Sequence, residues 1–275
     1  MGWQGRSSFA QTSFRLQNVT QISNISAMLP DDLTEDALLG GRVHVTQPRK
    51  GQRASADAVM LAAAVPAKSG MRVLDLGCGT GVGMLCLAAR VPGATVDGNE
   101  IQEDLVALCT RNIAANGMAE RLRVVAGDIR RRVPGIAPNS YDQVFANPPY
   151  FDTARHRASP HLGRATARSE AGEADLAHWV AALTRHARPG GGITMIHRAE
   201  RLPELLAALA AKAGAIRVTP LWSRPGEAAK RVILRAVKGS KAPLQLEPGI
   251  VLHRPDGSYL PEIDVVLREG AAFPA

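Results

Sequence analysis

Aromatic residues are scarce in this chain: Phe, Tyr and Trp together make 4% of the sequence. A core must therefore be built mostly from Ala, Val, Leu and Ile. Cysteine is also rare. Cys78, Cys86 and Cys109 are odd in number, with neither CxxC nor Cys/His metal spacing. That pattern points to a reducing, cytoplasmic setting without disulfides or structural zinc. No run approaches the roughly eighteen apolar residues a bilayer span requires, so no membrane association is expected. Residues 1–30 lack Asp and Glu and show no hydrophobic period. Arg6 and Arg15 among serines faintly suggest a transit peptide, but the expectation is a disordered tail over 1–30. Arg6 stands where myristoylation wants Ser or Thr, which excludes that anchor.

What is present is ordinary for a globular protein: 275 residues, 45% hydrophobic and 21% charged. The net charge of +8 and pI of about 9.9 are less ordinary. A basic surface attracts polyanions, which favours a nucleic-acid partner over the alternative of simple compositional bias.

Structure is expected from about residue 32. Residues 38–47 read as a turn and a short strand, 48–53 as a basic loop. Ser55 is a suitable N-cap for a helix over Ala56–Val65. From residue 71 strand and helix alternate. Strands are expected at Met71–Leu76, Ala94–Asn99, Leu122–Ala126, Gln143–Ala146 and Gly192–His197. Helices are expected at Val82–Arg90, Gln102–Asn116, around Leu176–Leu183 and at Leu202–Ala213. Ile216–Leu221 and Arg231–Val237 read as a closing antiparallel pair. This alternation implies a doubly wound α/β fold with a mostly parallel sheet covered on both faces. The expected organisation is one domain over 31–275: an N-terminal lobe (31–68), a catalytic core (69–240) and a C-terminal extension (241–275). Ligands in such sheets bind at the carboxyl ends of the strands, where strand order reverses.

The informative residues fall at those ends. The first core strand runs into Asp75-Leu76-Gly77-Cys78-Gly79-Thr80-Gly81-Val82-Gly83. A P-loop would need Lys followed by Ser or Thr, which is missing. The dinucleotide fingerprint counted from Gly77 fails at Val82. The remaining reading is the Asp-x-Gly-x-Gly-x-Gly turn that binds S-adenosylmethionine (SAM). SAM has a cationic sulfonium and no phosphate, so an acid such as Asp75 before the glycines is chemically apt. Glu100, followed by Ile101 at the end of the second core strand, is placed to accept the ribose hydroxyls. Asp128 and Ile129, after the third, offer a carboxylate for the adenine amine and an apolar side chain for its face. Gly77, Cys78, Gly79 and Gly81 complete the candidate cofactor set.

The fourth core strand ends in Asn147-Pro148-Pro149-Tyr150. Two prolines fix φ near −65° and remove backbone donors, leaving the Pro148 carbonyl rigid and free to accept. The Asn147 side-chain oxygen is a second acceptor. An aryl amine or amide nitrogen is a poor nucleophile because its lone pair is delocalised. Two acceptors gripping its hydrogens favour pyramidal geometry and stabilise the charge that develops during methyl transfer. No separate general base is required. Tyr150 can stack on a planar substrate, worth roughly 1–3 kcal/mol per base.

With these residues in view, the chain resembles N6-adenine and N5-glutamine methyltransferases, through Val73–Gly83, Glu100, Gly127-Asp128 and Asn147–Tyr150. More narrowly it is similar to bacterial tRNA1(Val) (adenine(37)-N6)-methyltransferases, through Leu38–Gly41, Gly51–Met60 with Asp57, Asn147–Phe151 and His253–Tyr259. The resemblance covers roughly 36–260. It implies a Rossmann-like class I fold with a seven-stranded, mostly parallel sheet and an antiparallel closing strand. It also implies SAM as cofactor, no metal, and an adenine beside a tRNA anticodon as acceptor. By the same resemblance Asp57 lies near the amino acid end of SAM. Taken alone, Asp57 also reads as simple charge complementarity at a helix start. Asn147 would face both cofactor and acceptor.

Two basic clusters flank the expected active face: Arg42, Arg49, Lys50 and Arg53, and an arginine-rich loop with Arg155, His156, Arg157, His161, Arg164 and Arg168. Either can grip phosphates around a splayed base. Lys230, Arg231, Arg235, Lys238 and Lys241 form a possible third strip. His156 and His161 lack the acidic or cysteine company a metal would need. Two other functions share these features. Protein glutamine-N5 methylation uses the same four catalytic residues, and a non-catalytic RNA-binding module could keep the fold alone.

Overall fold

The computed structural model describes residues 32–50, 53, 55–150 and 175–273. The expected tail over 1–30 and the arginine-rich loop over 155–168 lie outside them. A hairpin comes first: β1 (Leu33–Leu38) and β2 (Val43–Pro48) pair antiparallel across a 3-10 turn at Leu39–Gly41. Helix α1 (Ala56–Ala64) follows, N-capped by Ser55, whose hydroxyl accepts from Asp57 N. Eight of its nine residues are buried, so it is a core helix without a solvent face.

Strand and helix then alternate as expected. The strands are β3 (Arg72–Leu76), β4 (Thr95–Glu100), β5 (Leu122–Ala126), β6 (Tyr141–Ala146) and β7 (Ala187–Arg198). The helices are α2 (Val82–Arg90), α3 (Glu103–Ala115), α4 (Leu176–His186) and α5 (Leu202–Ala210). Strands β8 (Ala213–Trp222) and β9 (Arg231–Lys238) pair antiparallel, and β9 is also antiparallel to β7. The order β8-β9-β7-β6-β3-β4-β5 places the reversal between β3 and β6.

Side chains alternate between two buried faces. Val73, Phe145, Ile196 and Ile233 pack toward α1 and α2. Leu74, Val144, Met195 and Leu234 pack toward α4 and α5.

Four expectations need correction. The sheet has nine strands, not seven, because the short β10 (Gln245–Leu246) and β11 (Ile250–Val251) extend the β8 edge in parallel. β1 adds a strand where none was expected. β7 starts at Ala187 rather than Gly192: Ala187 pairs with Tyr141 and Gly192 with Gln143, so Arg188–Gly191 bulge out of register, helped by Gly190 at φ +73°. Finally, helix α6 (Pro261–Glu269) lies in the C-terminal extension, with Ile263 and Val266 buried.

Candidate cofactor and acceptor site

The carboxyl ends of β3, β4, β5 and β6 are level with one another. Leu76 is in register with Asn99 and Ala146, and Glu100 with Ala126. The glycine turn leaves β3 by hydrogen bonds from Gly77 N and Cys78 N to Asn99 O, 2.8 and 3.0 Å. Gly77, Gly79 and Gly81 all have positive φ, which L side chains adopt at a cost. A Cβ at Gly79 would meet open space, whereas one at Gly77 would strike the Trp179 ring. The loop is thus seated on α4 at one glycine and open at the next.

Glu100 is buried and stands at the turn. One of its oxygens accepts from Gly79 N at 3.0 Å, the other from Ile101 N and Gln102 N at 2.9 and 3.0 Å. Asp75 lies beneath the loop. It is wholly buried and accepts from the Met84 amide in the first turn of α2. Burial and the neighbouring Glu100 charge push its carboxyl well above the usual range. Asp128 is partly exposed and held by Arg130, Nη2 to Oδ2 at 2.6 Å, which draws its carboxyl below the usual range. Ile101 is 55% exposed and Ile129 8%, so Ile101 is the apolar side chain open at this edge. Cys78 packs into a sulfur-lined layer with Cys109 and Met84 under the loop. Glu100 and Asp128 at adjacent strand ends, a turn without Lys or Arg, and an uncovered glycine backbone suit SAM, with Asp75 sealed beneath the turn.

Across the β3/β6 reversal, Asn147 follows directly on β6. Its Oδ1 is buried without a hydrogen-bond partner among the described residues. Such an orphan acceptor costs about 1–3 kcal/mol unless a ligand fills it. Pro148 is buried beside it. Tyr150 OH donates to Asp57 Oδ2 at 3.2 Å, and Arg231 Nε donates to the same oxygen at 2.6 Å. Asp57 is therefore joined, through Tyr150, to the Asn147–Tyr150 segment.

Two asparagines contribute that the sequence did not single out as site residues. Asn99 Nδ2 donates to Val125 O and Gly127 O, fixing the approach to Asp128. Asn112 Nδ2 donates to Thr80 O and Thr46 O, tying the glycine turn to β2. The only sequence signal for Asn112 was an amide on the apolar face of α3.

The proposed RNA strips are also partly redistributed. Arg53 bonds Asp36, Arg42 bonds the Leu39 and Glu269 carbonyls, and Arg49 bonds Leu33 O. Arg235 pairs with Glu247, and Lys238 donates to Asn139 Oδ1 and Ala187 O. These cations hold the fold together, while Lys50, Lys230 and Lys241 stay exposed.

Comparison with known proteins agrees with this geometry. Residues 53–164 match the methyltransferase small domain family. A tRNA1(Val) (adenine(37)-N6)-methyltransferase of Aeromonas hydrophila is 31% identical over 218 residues, covering 78% of this chain and 89% of that protein. One of Tolumonas auensis is 31% identical over 230 residues, covering 82% and 92%. Among solved structures, an Agrobacterium tumefaciens protein described as a predicted O-methyltransferase superposes with a TM-score of 0.66 at 25% identity. That superposition covers 79% of this chain and 98% of the other.

Proposed function

The chain belongs to the tRNA1(Val) (adenine(37)-N6)-methyltransferase family, and from that premise we propose that its site methylates the exocyclic N6 amine of an adenine in tRNA, at the position its relatives' name gives. Bound SAM supplies an electrophilic methyl group on a cationic sulfur. Glu100, Asp128 and Ile101 would hold its ribose and adenine, beside the backbone of Gly77, Gly79 and Gly81. Asn147 Oδ1 and the Pro148 carbonyl accept the two amine hydrogens. They orient the nitrogen lone pair and stabilise positive charge as the methyl group arrives. Tyr150 holds the base plane. Among the described residues no helix is long and apolar enough to cross a membrane, and the reading places the enzyme in the cytoplasm with its RNA.

The observation that carries this reading is the orphaned Asn147 Oδ1 at the end of β6. Asn147→Ala should lower kcat by at least about 100-fold, the scale of losing one preorganised polar contact to the transition state. Its SAM affinity should stay near the parent value. Glu100→Ala should do the reverse to affinity, weakening SAM at least tenfold or so by loss of the ribose acceptor. Calorimetric titration of SAM beside single-turnover rates separates the two. Full turnover by Asn147→Ala would remove Asn147 from the chemistry.

A further inference from the structure

Arg231 belongs, by sequence, to a basic strip suited to phosphate, yet its half-exposed guanidinium is bonded to a buried carboxylate. β9 runs antiparallel to β7, so its first residue lies level with the end of β7, Arg231 opposite Arg198. That position is the carboxyl edge of the parallel strands, where the site lies. Its Nε meets Asp57 Oδ2 at 2.6 Å, the oxygen that also accepts from the Tyr150 hydroxyl. The Asp57 side chain is only 4% exposed and that of Arg231 40%. An anion so buried is costly unless paired and hydrogen-bonded. Burial pushes the Asp57 carboxyl up, while Arg231 and the Tyr150 hydroxyl act against it. Removing Arg231 would therefore disturb the acceptor that Tyr150 uses.

Tyr150 is gripped at a second point. His197, near the end of β7, has its ring centroid 5.1 Å from that of Tyr150 with the planes at 88°. The imidazole is 1% exposed and neither nitrogen has a hydrogen-bond partner among the described residues. Burial lowers its pKa to about 4, with Arg201 acting in the same direction, so it stands neutral at ordinary pH. The hydroxyl end of Tyr150 is thus tied to α1 and β9, and its ring is braced by β7.

We propose that the Asp57–Arg231 ion pair is a positioning device that fixes the Tyr150 ring for the acceptor base, so that Arg231 serves the chemical step and not phosphate contact. The inference rests on the reading of Asn147–Tyr150 given above. It follows from geometry: prolines fix the backbone at 148 and 149, but only side-chain contacts fix the ring, and a misplacement of about 1 Å can cost about 100-fold in rate.

The test uses the full chain, unmodified tRNA and SAM, with kcat and KM for tRNA measured across KCl concentrations. Arg231→Gln and the isosteric Asp57→Asn should lower kcat about 10- to 100-fold, with KM for tRNA within about twofold and its salt dependence unchanged. Arg231→Lys should restore part of kcat. The double variant Tyr150→Phe/Arg231→Gln should be no slower than the slower single, because both break one unit. A raised KM for tRNA at unchanged kcat, with a salt slope shallower by about one, would make Arg231 a phosphate contact and overturn the inference. Weaker SAM binding at unchanged kcat in Asp57→Asn would make Asp57 a cofactor ligand and overturn it too. Asn147→Ala run in parallel separates the two levels. If it is inactive while Arg231→Gln is fully active, only the positioning role falls. If it turns over normally, the reading of the site falls first.

Discussion

Gly77 and Gly79 share a left-handed backbone but differ in what surrounds them, and that difference is measurable. A methyl group at Gly77 would sit 2.5 Å from the Trp179 ring, whereas one at Gly79 meets nothing within 4 Å. Gly77→Ala combines backbone strain with a core clash and should cost about 2–4 kcal/mol of stability. Gly79→Ala should cost only the backbone strain, about 1 kcal/mol, but should weaken SAM at least tenfold by placing a methyl group where the cofactor meets the loop. Thermal melts with and without SAM check the pair, and equal losses of stability would contradict the seating on Trp179. At this scale the residues proposed for cofactor and acceptor were legible because each lies in a short local motif: the glycine turn, Glu100, Asp128 and Asn147–Tyr150. Asn99, Asn112, His197 and Arg231 were not legible as site residues, because their partners are distant in the chain. Arg231 is a surface cation until the sheet brings it to Asp57, and Asn112 is a polar interruption until it meets Thr46 and Thr80.

At the scale of elements, α3 acts toward the hairpin as a substitute strand edge. Asn112 and Asn116, one helical turn apart, present their amides to alternate residues of β2. Asn112 Oδ1 accepts from Thr46 N at 2.8 Å and its Nδ2 donates to Thr46 O at 2.9 Å. Asn116 does the same for His44, at 2.9 and 2.7 Å. The Asn112 set is buried and the Asn116 set exposed. Asn112→Ala therefore leaves buried backbone groups unmet and should cost about 3 kcal/mol, whereas Asn116→Ala should cost about 1 or less. Urea unfolding midpoints measure the contrast, and an Asn112→Ala loss below about 0.5 kcal/mol would contradict it. The helices and parallel strands of the core were readable from their periods. β1 escaped because Glu35, Asp36 and Ala37 at its centre are poor strand formers. Here Asp36 is held by Gln47 and Arg53. Helix α6 escaped although its signals were present, with Pro261 in the first turn and a left-handed Gly270 after the last. Its Ile263, Val266 and partly buried Leu267 also fall at helical spacing, but the stripe is only nine residues long and the exposed Val265 blurs it.

At the scale of the molecule, the strand order β5-β4-β3-β6-β7 with β9 and β8 beyond explains why the site falls where it does. The reversal between β3 and β6 brings the glycine turn beside Asn147, and parallel register sets Glu100 and Asp128 level with both. Alternation of strand and helix was enough to expect a doubly wound, mostly parallel sheet, but not which strands flank the reversal. The two added edge strands were not legible, because two-residue strands carry no period of their own. The net charge of +8 suits a polyanionic substrate, yet many of the arginines expected to meet it are engaged within the fold. Specificity must then come from the site more than from bulk charge, since phosphate contacts position a nucleic acid without reading it. The most direct measurement is to incubate the purified chain with labelled SAM and unmodified tRNA, digest to nucleosides and identify the labelled product. The account requires N6-methyladenosine, abolished by Asn147→Ala. Label found in tRNA on any other nucleoside, or in a glutamine-bearing protein acceptor offered in parallel and not in tRNA, would contradict it.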